Sequence, residues 1–148
     1  MKLLKLYEWI IGTMSDFAKQ FQDNETLYKQ AKVFWGDLET WSLFFVLLFI
    51  IGGIGISLFY YIPFNNQTGR HYKPKYWWIW GAITFVLTFL VTLGVEYLVV
   101  PPKLDGSFVL ELKIALANAI YSSIVYVLIS WIWCQFNLPT NAYRYLKF

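Results

Sequence analysis

Three apolar segments, each long enough to cross a bilayer, constrain the fold of this chain more than any other feature of its sequence. They cover residues 41–62, 76–100 and 108–135, and the first contains no charged residue. A helix adds about 1.5 Å per residue, so about 20 apolar residues cross the hydrocarbon core. Aromatic residues stand near the ends of these segments, and a proline follows each of the first two. The sequence therefore predicts an all-α integral membrane protein with three transmembrane helices.

The composition excludes several classes of protein. With 58% hydrophobic and 14% charged positions, the chain of 148 residues has too little polar surface for a soluble globular protein. The 12 basic residues are scattered among 9 acidic ones, so nucleic-acid binding is not expected. One cysteine and one histidine leave no ligand set for a metal site, and no catalytic motif or cofactor motif is present. We expect neither an enzyme nor a cofactor-binding protein.

The first 40 residues have a different pattern from the rest. Apolar residues recur at helical spacing from Leu3 to Phe21, and again from Leu27 to Leu38 after a capping sequence at 23–26. This pattern predicts an interfacial or cytoplasmic region of amphipathic helices over 1–40, followed by a three-helix transmembrane domain over 41–148 with a short C-terminal tail. The amphipathic helices either lie on the bilayer or contact a protein partner or signal ligand.

Polar residues in the second and third spans recur at intervals of four. The first row is Thr84, Thr88, Thr92 and Glu96, and the second row is Asn118, Ser122, Tyr126 and Ser130. Four residues advance a helix by about 400°, so each row stays on one broad face. Lipid cannot satisfy these groups, and the two faces must therefore meet protein or water. Two interpretations stay open: a hydrated pore lining, and a dry hydrogen-bonded seam between the two helices.

Glu96 is the only acidic residue in the apolar part of the second span. An acid at the centre of a bilayer costs about 2.5–3.5 kcal/mol on insertion scales, but Glu96 lies near the end of its helix. It either reaches the headgroup layer or contributes to a ring of carboxylates at the mouth of an oligomeric cation pore.

Small residues mark two helix faces where another helix could approach closely. They are Gly52, Gly53, Gly55 and Ser57 in the first span, and Ala115, Ala119 and Ser123 in the third. Small side chains allow close backbone contact between membrane helices. We expect these faces to be packing seams, with a hinge or gate as the alternative for the glycines.

A compact basic cluster lies in the loop before the second span. It consists of Arg70, His71, Lys73 and Lys75. Such a cluster suits an anionic ligand or phosphate-bearing lipid headgroups, and the alternative is a solvated loop that sets the membrane topology.

These features favour a small channel or pore-forming protein in a bacterial inner (plasma) membrane. Three helices cannot enclose water alone, so a channel requires a homo-oligomer. In size and layout the chain resembles bacterial toxin-like membrane effectors, including those of anti-phage defence, although no shared motif carries this likeness. The alternative is a non-conducting anchor or assembly subunit of a larger complex. We expect a cytoplasmic N-terminus, because otherwise about 40 residues would be translocated without a signal peptide.

Overall fold

The structure is a computed structural model that describes residues 3–67, 73–136 and 138–147, and no β-strand occurs within these ranges. The predicted all-helical fold is confirmed. Three helical segments are long and apolar enough to cross a membrane: Glu25–Phe64, Lys75–Val99 and Ser107–Gln135.

The N-terminal region consists of short helical pieces. A 3-10 turn, Leu3–Leu6, precedes α1 (Glu8–Ile11) and α2 (Met14–Lys19). The helical conformation is interrupted at Gly12, between α1 and α2. Gly12 has a φ of 78°, a backbone conformation that residues with a Cβ rarely adopt. This differs from the single amphipathic helix expected from Leu3 to Phe21. Hydrophobic periodicity shows which residues lie on the same face. It does not detect an interruption of the helix after which the apolar residues still lie on that face.

Helix α3 is one continuous helix of 35 residues, Glu25–Phe59. It begins after Asn24, whose side-chain oxygen accepts hydrogen bonds from the backbone N–H groups of Thr26 and Leu27. The second amphipathic stretch and the first span therefore belong to the same helix, and the expected boundary at residues 40 and 41 lies inside it. The polar residues between 36 and 40 lower the hydropathy but include no proline, so the backbone can stay helical.

The helical backbone continues beyond α3 as a π-helical turn, Tyr60–Phe64, which contains Pro63. The sequence predicted that the first span ends at Ile62, before this proline. Proline has no backbone N–H, so the regular hydrogen-bond pattern cannot continue, and the wider turn accommodates the residue. The Asn65 side chain donates a hydrogen bond to the carbonyl oxygen of Tyr60.

The other two spans begin and end within one residue of their expected positions. They are α4 (Lys75–Val99) and α5 (Ser107–Gln135). Ser107 is the first residue of α5, and its hydroxyl oxygen accepts a 3.3 Å hydrogen bond from the backbone N–H of Leu104.

The chain divides into two compact units, and each contains parts of α3, α4 and α5. The first unit comprises Met1–Leu47 and Phe89–Asn118, and the second comprises Leu48–Thr88 and Ala119–Phe148.

The first unit has a hydrophobic core to which the N-terminal region contributes. The ring of Phe17, from α2, lies 5.8 Å from that of Phe34 and 6.1 Å from that of Trp35, both on α3. These three side chains and Leu38 are buried. The N-terminal region is therefore part of the packed first unit.

The second unit has an aromatic core. Tyr60, Tyr61, Trp77 and Tyr126 are buried in it together with Cys134. The C-terminal tail packs against this core: the ring of Tyr145 stacks on Trp77 at 4.9 Å. The hydroxyl of Thr140 also donates a 2.8 Å hydrogen bond to the carbonyl oxygen of Tyr61.

Candidate functional site

All eight residues of the two polar rows are buried, each with an exposed fraction of 3% or less. Thr92, Glu96 and Asn118 belong to the first unit, and the other five belong to the second. Repeats of four keep each row on one face of its helix. The rows therefore contribute buried polar groups to the interior of each unit. Their hydrogen-bond partners determine whether these groups are satisfied by protein atoms.

Asn118 is the centre of the polar interior of the first unit. Its side-chain oxygen accepts a 2.5 Å hydrogen bond from the Tyr7 hydroxyl. Its side-chain nitrogen donates to Thr92 Oγ1 at 3.0 Å and to the backbone oxygen of Phe45 at 3.1 Å. One amide thus joins α5 to α4, to α3 and to the N-terminal region. With three hydrogen bonds, the most polar neutral side chain of the rows is well satisfied without water.

The second unit contains two sets of hydrogen bonds between α4 and α5. In one, Thr88 Oγ1 donates to Ser122 Oγ at 3.1 Å. In the other, Trp77 Nε1 donates to Ser130 Oγ at 3.1 Å, and the Tyr126 hydroxyl donates to the backbone oxygen of Trp77 at 2.8 Å. The row on α5 is therefore bonded to α4 by side chains, one of which is a tryptophan that the spacing of polar residues does not reveal.

Other hydroxyls bond to the backbone of their own helix. Thr84 Oγ1 donates to the carbonyl oxygen of Trp80 at 2.8 Å, and Ser123 Oγ donates to that of Ala119 at 2.9 Å. Threonine and serine commonly satisfy themselves in this way, four residues back along a helix. Ser123 also lines an apolar groove of about 390 Å³ together with Phe85 and Ile120.

The glycines of α3 differ in their surroundings. A Cβ added at Gly53 would lie 2.7 Å from both the backbone oxygen of Ser122 and the Cβ of Val125, so α3 and α5 approach closely here. A Cβ at Gly52 would lie 3.3 Å from Ser122 Oγ. Gly55, by contrast, has open space where its side chain would be.

Three more of the small residues that were expected to pack are buried. Ser57 Oγ donates to the backbone oxygen of Gly53 at 2.7 Å and to that of Tyr126 at 3.3 Å. Ala115, in the first unit, and Ala119, in the second, are both fully buried.

Two carboxylates and one ammonium group meet near the end of α4. Glu96 is 0% exposed and Glu111 is 1% exposed. Lys103 Nζ lies 2.8 Å from Glu111 Oε1 and donates to the backbone oxygen of Glu96 at 3.1 Å. Neither carboxylate oxygen of Glu96 has a hydrogen-bond partner among the residues that the structure describes. Of these three residues, only Glu96 stands out in the sequence, because it is an acidic residue within an apolar segment.

The basic cluster of the loop is only partly covered by the structure. Arg70 and His71 lie outside the described residues. Lys73 and Lys75 are exposed, and Lys75 Nζ lies 5.5 Å from the ring centroid of Tyr76. The prediction of an anionic ligand or lipid headgroup at this loop stays a prediction.

Potential metal ligands do not cluster in the described part of the chain. Within residues 3–67, 73–136 and 138–147, no group of three or more His, Cys, Asp or Glu side chains could hold a metal ion. The thiol of Cys134 is buried and its sulfur lies 3.7 Å from the Tyr61 hydroxyl oxygen.

Comparison with known proteins gives no match to a family model, to a curated protein or to a solved structure.

Proposed function

We propose that this protein is a non-conducting integral membrane subunit that anchors or assembles a larger complex. One observation carries the proposal: the polar rows are buried, and their hydroxyl and amide groups bond to protein atoms in the same unit. A hydrated pathway requires polar groups that face water, whereas bonds between helices stabilise a membrane bundle. The rows therefore act as a seam that holds the helices together.

The exposed side chains support insertion into a membrane. Large apolar residues on the three long helices are highly exposed, including Ile51 at 64%, Leu90 at 58% and Leu128 at 53%. Lipid chains solvate such residues, whereas large apolar patches in water promote aggregation. We propose a bacterial inner (plasma) membrane with a cytoplasmic N-terminus, on the sequence arguments given above.

The first unit offers a surface for a protein partner or signal ligand. The start of α3 carries exposed charges, including the Lys29–Glu25 pair at 2.7 Å with side chains 72% and 81% exposed. Trp9, in α1, is 62% exposed. Exposed tryptophan and charged side chains are typical of recognition surfaces, so we propose that a partner docks on the first unit.

Planar-bilayer recording tests the proposal directly. The full chain is purified in detergent, its particle mass is measured, and the same sample is reconstituted and recorded with and without candidate partners. We expect no discrete currents. We also expect Asn118→Leu and Thr88→Val to weaken the fold or its assembly. Thr40→Val should not, because Thr40 is exposed and its hydroxyl donates to the backbone oxygen of Gly36 in its own helix.

The second candidate is a homo-oligomeric channel of the toxin-like or anti-phage effector class. Glu96 favours it, because a carboxylate without a hydrogen-bond partner in the described chain is unusual on an apolar helix. Glu96 would have to leave its buried position to line a pore shared by several chains. Discrete currents from a multi-chain particle, with cation selectivity altered by Glu96→Gln, would replace the anchor with this channel.

A further inference from the structure

The charges near the end of α4 do not balance. Two buried carboxylates, Glu96 and Glu111, face a single ammonium group, that of Lys103. Lys103 binds the carboxylate of Glu111, whereas at Glu96 it binds the backbone oxygen rather than the carboxylate. The charged groups that act on the Glu96 carboxylate are Glu111, from α5, and Lys103, from the segment between α4 and α5. One positive charge is therefore missing from the group.

The uncompensated negative charge lies at the Glu96 carboxylate. Both of its carboxylate oxygens are buried, and neither has a hydrogen-bond partner in the part of the chain that the structure describes. An isolated buried carboxylate is strongly destabilising, so such a group either binds a cation or takes up a proton. Glu111 does not share this problem, because its Oε1 lies 2.8 Å from Lys103 Nζ.

We propose that Glu96, Glu111 and Lys103 form a binding site for one monovalent cation, either H⁺ or Na⁺, with the Glu96 carboxylate as its principal acceptor. A monovalent cation balances the two carboxylates and one ammonium group, whereas a divalent ion leaves an excess positive charge. Oxygen ligands are also those that a hard alkali cation prefers. Because protein atoms alone enclose the two carboxylates, this site does not depend on the proposed anchoring function.

Lys103 connects the site to solvent. Its side chain is 43% exposed, whereas that of its partner Glu111 is only 1% exposed. It lies in the segment between α4 and α5, with its ammonium group 5.0 Å from the ring centroid of Tyr97. Displacement of this one flexible side chain would open a short route to the buried carboxylates. The cation should therefore exchange with solvent past Lys103.

Two measurements on the purified full chain identify the cation. Infrared difference spectroscopy in sodium-free buffer, between neutral and alkaline pH, detects a protonated carboxyl group. Equilibrium dialysis with radioactive sodium counts bound Na⁺. We expect one protonated carboxyl group or one Na⁺ per chain. The infrared band should disappear, or the Na⁺ affinity should fall by more than about tenfold, in Glu96→Gln. Asp23→Asn, which removes an exposed carboxylate, should retain the wild-type result.

The two supporting outcomes distinguish the cation: a carboxyl band insensitive to Na⁺ identifies H⁺, and bound Na⁺ displaced by acid identifies Na⁺. An ionised Glu96 without bound Na⁺ overturns the proposal. If Glu96→Gln does not fold, Lys103→Met provides the second test. Removal of the ammonium group leaves two unbalanced carboxylates, so the number of bound monovalent cations should rise from one to two per chain, and an unchanged number contradicts the proposal.

Discussion

Tyr7 donates a 2.5 Å hydrogen bond to the side-chain oxygen of Asn118, which lies 111 positions later in the chain. Both residues are fully buried. The bond connects the N-terminal region to the polar interior formed by α3, α4 and α5 in the first unit. The N-terminal region is therefore fixed to the helices by a specific polar contact as well as by the apolar packing of Phe17.

Tyr7→Phe tests this contact with the smallest possible change. It leaves the side-chain oxygen of Asn118 buried without its donor, so we expect a loss of about 1–3 kcal/mol in the free energy of unfolding. Denaturant unfolding in detergent measures the loss, and limited proteolysis should show faster cleavage before α3. Tyr143→Phe is the matched control, because Tyr143 is 44% exposed. Equal stability of the two variants would contradict a structural role for the Tyr7–Asn118 bond.

Gly53 and Gly55 lie two positions apart on α3, but they differ in the space that a side chain would have. Gly53→Ala places a methyl group 2.7 Å from the backbone oxygen of Ser122 and the Cβ of Val125, so we expect a destabilisation of about 1–3 kcal/mol. Gly55→Ala meets open space and should be neutral or stabilising, by up to about 1 kcal/mol, since alanine favours helix. Thermal unfolding of both variants in detergent measures the difference. A destabilising Gly55→Ala with a neutral Gly53→Ala would refute the assigned packing face.

The sequence predicted the helices well where hydropathy and helix ends coincide. At α4 and α5, proline and polar residues stand next to the apolar segments, so the expected ranges agree with the structure within one residue. At α3 the apolar segment and the helix begin at different residues. Hydropathy falls before Trp41, yet the helical backbone begins 16 residues earlier, at Glu25, because nothing between them breaks a helix. Hydropathy identifies the membrane-compatible part of a helix and leaves its full length undetermined.

The candidate sites were less predictable for a different reason. Spacing by four predicted that Asn118 and Ser130 share one helix face, which meets either protein or water. Their partners Tyr7 and Trp77 share no spacing with them, and only the tertiary fold brings these side chains together. Similarly, Glu96 is conspicuous in the sequence, whereas its charged neighbours lie in a turn and in the next helix. A pattern along one helix contains no information about distant contacts.

The capping box of α2 predicts a pH-dependent N-terminal region. Asp16 Oδ2 accepts hydrogen bonds from the hydroxyl of Thr13 at 2.6 Å and from its backbone N–H at 3.1 Å. These bonds hold the pKa of Asp16 below its ordinary value. The folded-state pKa is lowered, so the stabilisation is present above the ordinary pKa of aspartate and is lost as the pH falls through the folded-state value.

Hydrogen exchange of the Met14–Lys19 amides measures this effect. Protection of these amides in the wild type should decrease in acid, whereas Asp16→Asn should be less protected at neutral pH and should lack this decrease. Asp23→Asn makes the same change of charge at an exposed aspartate outside the capping box, and it serves as the reference at each pH. A wild-type response in Asp16→Asn would exclude the capping box as its origin.

The buried thiol makes membrane topology measurable in the otherwise unaltered chain. Cys134 is 0% exposed, so a maleimide should leave it unmodified in the folded protein and modify it after denaturation. Cysteines introduced at Asn66 and Asp105, both exposed, then report on the two connecting segments. With a cytoplasmic N-terminus, a membrane-impermeant maleimide should label Asn66→Cys in intact cells and spare Asp105→Cys. The reverse pattern would place the N-terminus outside.

The contact at Gly53 also limits how this sequence can evolve. A methyl group at this position would meet the backbone oxygen of Ser122, and a substitution at position 122 replaces the side chain but keeps that oxygen. No single compensating mutation in the neighbouring helix therefore makes room for a larger residue. Among descendants of this sequence, position 53 should remain glycine, whereas position 55 should accept larger residues.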